Sequence, residues 1–206
     1  DVYKRQYKDN IFLTEQDIEN LEDESDPYFH NVYTLGNWGV LKGLVYKKFI
    51  EKFFDVHEIS KRPGVMSVFG LDFGYTNDPS ALFCGLVDEK NKEIYVFDEL
   101  YERGLTNMEL APKVISMGYA KEKIMADSAV PQSIEELRQL GLSRIEGAYK
   151  NEVMYGIQKL MNFTFIIHPK CKNFINEINN YSYAEKDGES INKPIDKFNH
   201  LMDAMR

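Results

Sequence analysis

Three apolar segments in the middle of the chain are joined by very short connections, and this spacing limits the possible folds more than any other feature. Val65–Asp72, Ala81–Val87 and Ile94–Tyr101 have the apolar and aromatic composition of buried strands. A polar turn at Asp88–Asn91 joins the second segment to the third. Because a parallel pair needs a crossover of about a dozen residues or more, segments joined this closely are predicted to form an antiparallel meander.

Beyond the meander, short apolar runs alternate with helical patterns. The predicted strands are Lys123–Ala126, Ser143–Gly147 and Phe163–Ile167, and the predicted helices are Asn107–Met117, Gln132–Leu140, Glu152–Met161, Asn173–Tyr181 and a last helix from about Lys197. Such alternation indicates parallel strands with helices packed on the sheet. We therefore predict an α/β fold of the ribonuclease H-like class, a mixed sheet in which an antiparallel three-strand meander is followed by parallel strands, flanked by helices.

The residues before position 64 have a different character. Residues 1–6 match the translation of a common sequencing adapter, and we expect them to be an artefact. Residues 7–63 are expected to be a linker with the end of a preceding domain, with two short helices over about 14–36 and an irregular connector after them. The α/β domain is expected to occupy residues 64–206 and to be truncated within its last helix. We therefore expect the chain to be a fragment of a longer protein.

The formal net charge of −8 is concentrated in one stretch. Thr14–Pro27 contains seven acidic residues and no basic residue, so the rest of the chain is close to neutral, at about −1. We expect this stretch to lie outside the α/β core, because unpaired charges are rarely buried. Composition alone neither requires nor excludes a nucleic-acid partner.

Other features of the sequence exclude several classes of protein. The two cysteines, Cys84 and Cys171, have no spacing typical of a zinc site or a disulfide framework. No apolar run approaches the roughly 20 residues of a membrane span, and no signal peptide opens the chain, so a cytoplasmic setting is expected. The sequence contains neither the phosphate-binding loop of the common NTPases nor a serine or cysteine nucleophile motif.

Two aspartates stand at the ends of predicted buried strands. Asp72 ends the first strand and enters a glycine turn, and Asp127 follows the strand Lys123–Ala126. Each alone could simply start a turn. If the two strands are adjacent and parallel, both carboxylates lie at one edge of the sheet and repel each other unless a cation lies between them. Oxygen ligands of this kind suit Mg²⁺ or Mn²⁺.

A third carboxylate, Asp203, lies on the last predicted helix, on the same face as His200 and Asp196. That face could be an ordinary solvated surface, but with the two strand acids it completes a plausible metal site. Asp78 and Glu99 are weaker candidates, since Asp78 could form a turn and Glu99 could face solvent. Lys150 could contact a phosphate or be a solvated lysine at a helix start.

From Tyr7 to Arg206 the sequence resembles the C-terminal part of a terminase large subunit of tailed bacteriophages and prophages. Residues 10–43, with Tyr33–Gly39, resemble the segment that joins a packaging ATPase to a nuclease. Within the nuclease the resemblance is carried by these segments: Gly70–Gly74, Asn77–Pro79, Ala126–Ser128, Lys150 before Gly156–Ile157, Pro169–Asn173, Tyr181–Tyr183 and Asp196–Ala204. Each piece is a weak signal, but their order and spacing over nearly the whole chain are specific.

The resemblance implies an endonuclease that cuts concatemeric phage DNA at the start and end of packaging. It places Asp72, Asp127 and Asp203 on the family's metal-binding triad, with His200 and Asp78 beside it. Asp72 is then expected to bridge two Mg²⁺ or Mn²⁺ ions about 3.5–4 Å apart. The implied partners are double-stranded DNA, the terminase small subunit, the portal protein and the missing ATPase domain. The implied location is the bacterial cytoplasm, transiently at the procapsid portal.

Two alternatives remain open at this point. Residues 71–77 resemble the first phosphate loop of actin-like and heat-shock-chaperone-like ATPases, although the second loop of those proteins is absent from the sequence. A catalytically silent module that docks on the portal or the small subunit would also fit the acidic stretch Thr14–Pro27.

Overall fold

A computed structural model describes residues 43–74, 78–149, 152–186 and 189–206. The strands are β1 (Phe49–Glu51), β2 (Val65–Asp72), β3 (Pro79–Asp88), β4 (Glu93–Arg103), β5 (Ile124–Ala126), β6 (Ile145–Gly147), β7 (Thr164–Ile167), β8 (Tyr183–Lys186) and β9 (Glu189–Pro194). The helices are α1 (Val56–Ser60), α2 (Asn107–Ser116), α3 (Pro131–Gln139), α4 (Val153–Met161), α5 (Lys172–Ile178) and α6 (His200–Met205). None of the helices in these ranges is long and apolar enough to cross a membrane.

Seven strands form one mixed sheet in the order β1-β7-β4-β3-β2-β5-β6. The β2–β3 and β3–β4 pairs are antiparallel, as the short connections predict. The pairs β1–β7, β4–β7, β2–β5 and β5–β6 are parallel. The predicted fold class, a meander followed by parallel strands in a mixed sheet flanked by helices, is confirmed.

The sheet is covered on both faces, so the chain has two hydrophobic clusters. On one face, residues of α4, α5 and α6 such as Ile157, Phe174 and Leu201 are fully buried. On the other face, α2 and α3 contribute residues such as Leu110 and Leu137. Strand β3 lies at the centre of the sheet, and all but one of its residues are buried. A strand with neighbours on both faces has no solvent side, which explains its nearly continuous apolar sequence.

The prediction of an irregular connector up to Gly64 was wrong. Strand β1 pairs in parallel with β7, and α1 is capped by Asp55, whose side chain accepts hydrogen bonds from the backbone N–H groups of His57 and Glu58. Val45 and Tyr46 are almost completely buried. The sheet therefore extends on the N-terminal side of residue 64. The β8–β9 hairpin was also not predicted.

The acidic stretch Thr14–Pro27 and residues 75–77 lie outside the described part of the chain, and so does Lys150. The predictions made for them therefore stay predictions.

Helix α6 packs against β2 at a glycine. A Cβ atom built on Gly70 would lie 1.8 Å from the carbonyl oxygen of Ala204 and 2.8 Å from its carbonyl carbon. Both atoms belong to backbone, so no side-chain rotation could relieve the overlap. Only glycine at position 70 allows α6 to lie this close to the sheet.

We expect Gly70→Ala to lower the free energy of unfolding by about 1–3 kcal/mol, because the added methyl group must push α6 away from β2. Urea unfolding measured by circular dichroism would give this value. Ser67→Ala, at an exposed position of the same strand, serves as the control and should change stability by less than about 0.5 kcal/mol. A Gly70→Ala variant as stable as this control would show that the close approach is not required.

Candidate active site

The first two acidic candidates lie at the same edge of the sheet. Strands β2 and β5 are adjacent and parallel, with Leu71 paired to Ala126. Immediately after this pair, the backbone N–H of Asp127 donates to the carbonyl oxygen of Leu71 at 3.1 Å. The prediction that Asp72 and Asp127 stand at the ends of neighbouring parallel strands is therefore confirmed. The carboxyl end of a parallel sheet is where α/β proteins commonly bind ligands.

Helix α6 brings the third acidic candidate to this edge. Ala204 rests on Gly70 of β2, and Asp203 precedes it in the chain. Asp72, Asp127 and Asp203 all line one open cleft of about 670 Å³. Three carboxylates from two strands and a helix therefore share one cleft.

The three aspartates of this cleft have protein partners. Asp203 accepts hydrogen bonds from Nη1 of Arg206 at 2.8 Å and from Nδ2 of Asn199 at 2.9 Å. Asp127 accepts one from the backbone N–H of Ala129 at 2.9 Å. Within the described ranges, no three His, Cys, Asp or Glu side chains converge closely enough to form a ready metal site. The contacts of Asp203 in particular would have to be exchanged before its oxygens could bind a cation.

The electrostatics of the cleft favour a bound cation. Desolvation and, to a smaller extent, the negative charge of Asp203 raise the pKa of Asp72 from 3.8 to about 6, although His200 opposes the shift. The pKa of Asp203 is also raised, mainly by burial, although Arg206 and Asn199 oppose the shift. Carboxylates that are costly to ionise in isolation become favourable ligands when a divalent cation neutralises them.

His200 connects two of the candidate residues. Its Nδ1 lies 3.4 Å from Oδ2 of Asp72, and its Nε2 lies 3.9 Å from Oδ1 of Asp78. The ring of Tyr101 packs edge-on against the imidazole, with 6.2 Å between ring centroids. His200 and Asp78 are therefore adjacent to Asp72, in the accessory positions that the resemblance implies.

Glu99 has a different environment from the other acidic candidates. Its carboxylate accepts hydrogen bonds from the backbone N–H groups of Asn173 and Phe174 and from Nδ2 of Asn173, each at 2.8 Å. These donors lie in the first turn of α5, so Glu99 caps that helix. Burial raises the pKa of Glu99, and the same hydrogen bonds oppose the shift. Its carboxylate is not among the groups that line the cleft.

Sequence reasoning missed three residues of the cleft. Tyr155, Lys159 and Arg206 line it together with the aspartates. Tyr155 is half exposed, and Nζ of Lys159 lies 5.1 Å from the centre of its ring. The signal was present in the sequence, because the two residues are four positions apart on a predicted helix and so share one face. Arg206 likewise stands three positions after Asp203.

Comparison with known proteins shows the family of the chain. Residues 72–206 match the family model described as "Terminase RNAseH like domain". The chain is 36% identical over 143 residues to the terminase large subunit of Bacillus phage SPP1, an alignment that covers 66% of this chain and 34% of the relative. It is 29% identical over 208 residues to the PBSX phage terminase large subunit of Bacillus subtilis, covering 96% of this chain and 47% of that protein.

Solved structures give the same result. The SPP1 large terminase nuclease domain with bound Mn superposes with a TM-score of 0.71 at 30% identity, covering 79% of this chain and 96% of that domain. The P22 large terminase nuclease domain superposes with a TM-score of 0.58 at 16% identity and covers 79% of this chain and 89% of that one, which supports the fold alone. The chain spans less than half the length of the two terminase large subunits described above. It belongs to the terminase ribonuclease H-like domain family, whose members include the nuclease domains of phage terminase large subunits.

Proposed function

We propose that this chain is the nuclease part of a terminase large subunit and cuts concatemeric phage DNA during genome packaging. The reaction is hydrolysis of a phosphodiester bond that depends on divalent metal ions. The observation that carries the proposal is the meeting of Asp72, Asp127 and Asp203 at one cleft. Three acids from separate elements meet there at a cost in charge repulsion, which a structural role alone does not explain.

The three aspartates of the cleft would hold two Mg²⁺ or Mn²⁺ ions once the contacts of Asp203 are exchanged. Asp72, Asp127 and Asp203 supply the oxygen ligands that these ions prefer. Burial and repulsion from Asp203 raise the pKa of Asp72. A bound cation would offset this repulsion and stabilise the ionised carboxylate. The solved SPP1 nuclease domain contains Mn. When bound, such ions lower the pKa of an attacking water molecule and stabilise the leaving oxygen of the DNA.

The protein's own groups would position the substrate and balance charge. Arg206 is paired with Asp203, and it becomes free to contact a phosphate if a cation replaces it on that carboxylate. On the wall of the cleft formed by α4, Lys159 would contact a DNA phosphate and Tyr155 would pack against the sugar or base. His200, between Asp72 and Asp78, would orient the carboxylate of Asp72.

The wider partners belong to the whole protein. We propose the ATPase domain, the terminase small subunit and the portal protein as partners, because the relatives that this chain matches are terminase large subunits of greater length. A silent docking module would use the same partners without cutting DNA. Cleavage of plasmid DNA by the purified chain in the presence of Mn²⁺ separates the two functions.

Asp203→Asn should abolish Mn²⁺-dependent cleavage, a loss of at least about 100-fold, because an amide is a weaker ligand than a carboxylate. It should also reduce the rise in melting temperature that Mn²⁺ produces, since a ligand that binds only the folded state stabilises it by mass action. Plasmid nicking and melting curves with and without Mn²⁺ measure both effects. Asp196→Asn, at an exposed site nearby, is the control and should behave as the wild type. An Asp203→Asn variant that cuts normally would remove Asp203 from the active site.

The raised pKa of Asp72 predicts a pH effect in the metal-free protein. Because its pKa is about 6 in the folded state and about 3.8 otherwise, protonated Asp72 favours folding. This stabilisation is complete below pH 3.8 and is lost as the pH rises through 6. We expect the wild type to lose on the order of 2–3 kcal/mol relative to Asp72→Asn over this range, since one pKa unit corresponds to about 1.4 kcal/mol.

Melting or urea curves in EDTA, recorded from pH 4 to pH 7.5 for the wild type and for Asp72→Asn, measure this difference. A constant difference across that range would show that Asp72 has an ordinary pKa.

Lys159→Gln should weaken DNA binding without changing metal binding. Loss of one phosphate contact should lower the slope of log affinity against log salt concentration by about 1. Fluorescence anisotropy with a labelled DNA duplex in Ca²⁺, at several salt concentrations, measures that slope. Lys92→Gln is the control, because Lys92 is exposed and pairs with Glu89 outside the cleft. An unchanged slope for Lys159→Gln would place the DNA elsewhere.

A further inference from the structure

Glu177 is a buried acid outside the cleft. It lies on α5 and is only 1% exposed. Among the described residues it is one of three buried polar or charged side chains, with Ser80 and Asp88. Burial of a carboxylate is unfavourable unless hydrogen bonds compensate for the lost water. The partners of Glu177 therefore indicate what it does.

Both oxygens of Glu177 accept hydrogen bonds. The hydroxyl of Tyr101 donates to Oε1 at 3.0 Å, and the backbone N–H of Leu201 donates to Oε2 at 2.7 Å. Leu201 is the second residue of α6. N–H groups at this position have no acceptor within their own helix. Glu177 therefore caps α6 from a different helix.

The residue that precedes α6 does not perform this role. Asn199 occupies the N-cap position, but its side chain makes no capping hydrogen bond. Its Nδ2 donates instead to Oδ2 of Asp203. Asn199 therefore binds the side chain of Asp203, whereas Glu177 caps the backbone of the helix.

Helix α6 is held against the sheet by contacts with other elements. Its orientation is fixed at two points, by Glu177 on Leu201 at the N-terminal end and by Gly70 against Ala204 at the other. Asp203 lies between these two points, and His200 immediately precedes the first.

We propose that Glu177 is a positioning residue, which holds α6 so that Asp203 and His200 face Asp72 across the cleft. The inference rests on the proposed metal-dependent function, since it assigns Glu177 a role in metal binding. Glu177 does not touch the cleft, and it acts through the N–H of Leu201. Tyr101 contacts both Glu177 and His200. Its hydroxyl donates a hydrogen bond to Glu177, and its ring packs against His200.

The balance of forces on Glu177 agrees with this role. Burial raises its pKa, whereas the N–H groups of Leu201 and Met202, the hydroxyl of Tyr101 and the nearby His200 lower it. The largest contributions that favour the ionised carboxylate come from α6 and from Tyr101. Glu177 therefore interacts chiefly with the helix that carries Asp203.

Two variants of the full chain test the proposal. Glu177→Gln keeps the shape and one oxygen acceptor, and Glu177→Leu removes both acceptors. Mn²⁺ binding is measured by isothermal titration without DNA, at a temperature at which each variant is folded. We expect the dissociation constant for Mn²⁺ to rise about 10-fold for Gln and up to about 100-fold for Leu, as for other groups that orient metal ligands. Cleavage by Glu177→Gln should recover towards the wild-type rate at high Mn²⁺ concentration.

The control is Leu137→Ala, in the hydrophobic cluster on the opposite face of the sheet. It should destabilise the fold by about 2–5 kcal/mol and leave Mn²⁺ affinity unchanged, which separates positioning from a general loss of stability. Should Glu177→Leu fail to fold, Glu177→Gln alone decides. A wild type that binds Mn²⁺ and a Glu177→Gln variant that binds it equally well would overturn this inference alone. A wild type that binds no Mn²⁺ would overturn the proposed function as well.

Discussion

The contact between the backbone of Gly70 and that of Ala204 determines where the last helix lies, and the candidate site depends on that position. A side chain at position 70 would hold α6 away from β2. The cleft would then widen, and Asp203 would move away from Asp72. Gly70 stands two residues before Asp72 in β2. The same short segment therefore carries one acid of the cleft and the surface against which α6, with Asp203, packs.

The cleft shows a conflict between stability and function. Asp72 and Asp203 are both buried enough to have raised pKa values. Arg206, Asn199 and His200 supply positive charge or hydrogen bonds that offset part of this cost. These contacts stabilise the folded chain, but they occupy the oxygens that a cation would need. Sites that oppose local stability in this way are where functional residues are expected.

Part of this arrangement could be predicted from sequence because it depends on local patterns. The meander follows from apolar segments with short connections, and the adjacency of Asp72 and Asp127 follows from their places at strand ends. Strand β1 could not be found in this way, because Phe49–Glu51 has only 3 residues and gains its partner from β7, far along the chain. Short strands carry too little periodic signal to identify.

The last helix illustrates the same limit. It was predicted from about Lys197 but begins at His200, because Phe198 has a positive φ of 59° that is incompatible with a right-handed helix. The hydrogen bond from Leu201 to Glu177 joins residues that are 24 positions apart, so no local sequence motif predicts it. Glu99 was a candidate for the acidic cluster because of its position in a strand, but its oxygens cap α5. Chemistry at strand ends is visible in a sequence, whereas side chains that support a distant helix are not.

The order of the three aspartates along the chain has a consequence for protein synthesis. A ribosome adds residues from the N-terminal end, so β2, β5 and the elements between them are made well before α6. Strands β1 to β7 can therefore pair while Asp203 has not yet been added. The described contacts of α6 are with β2, β3 and α5, so this helix docks on elements that are made before it. In a nuclease of the proposed kind, Asp203 would be the last of the three acids to reach the cleft, and a nascent chain that ends before α6 would present only two of them.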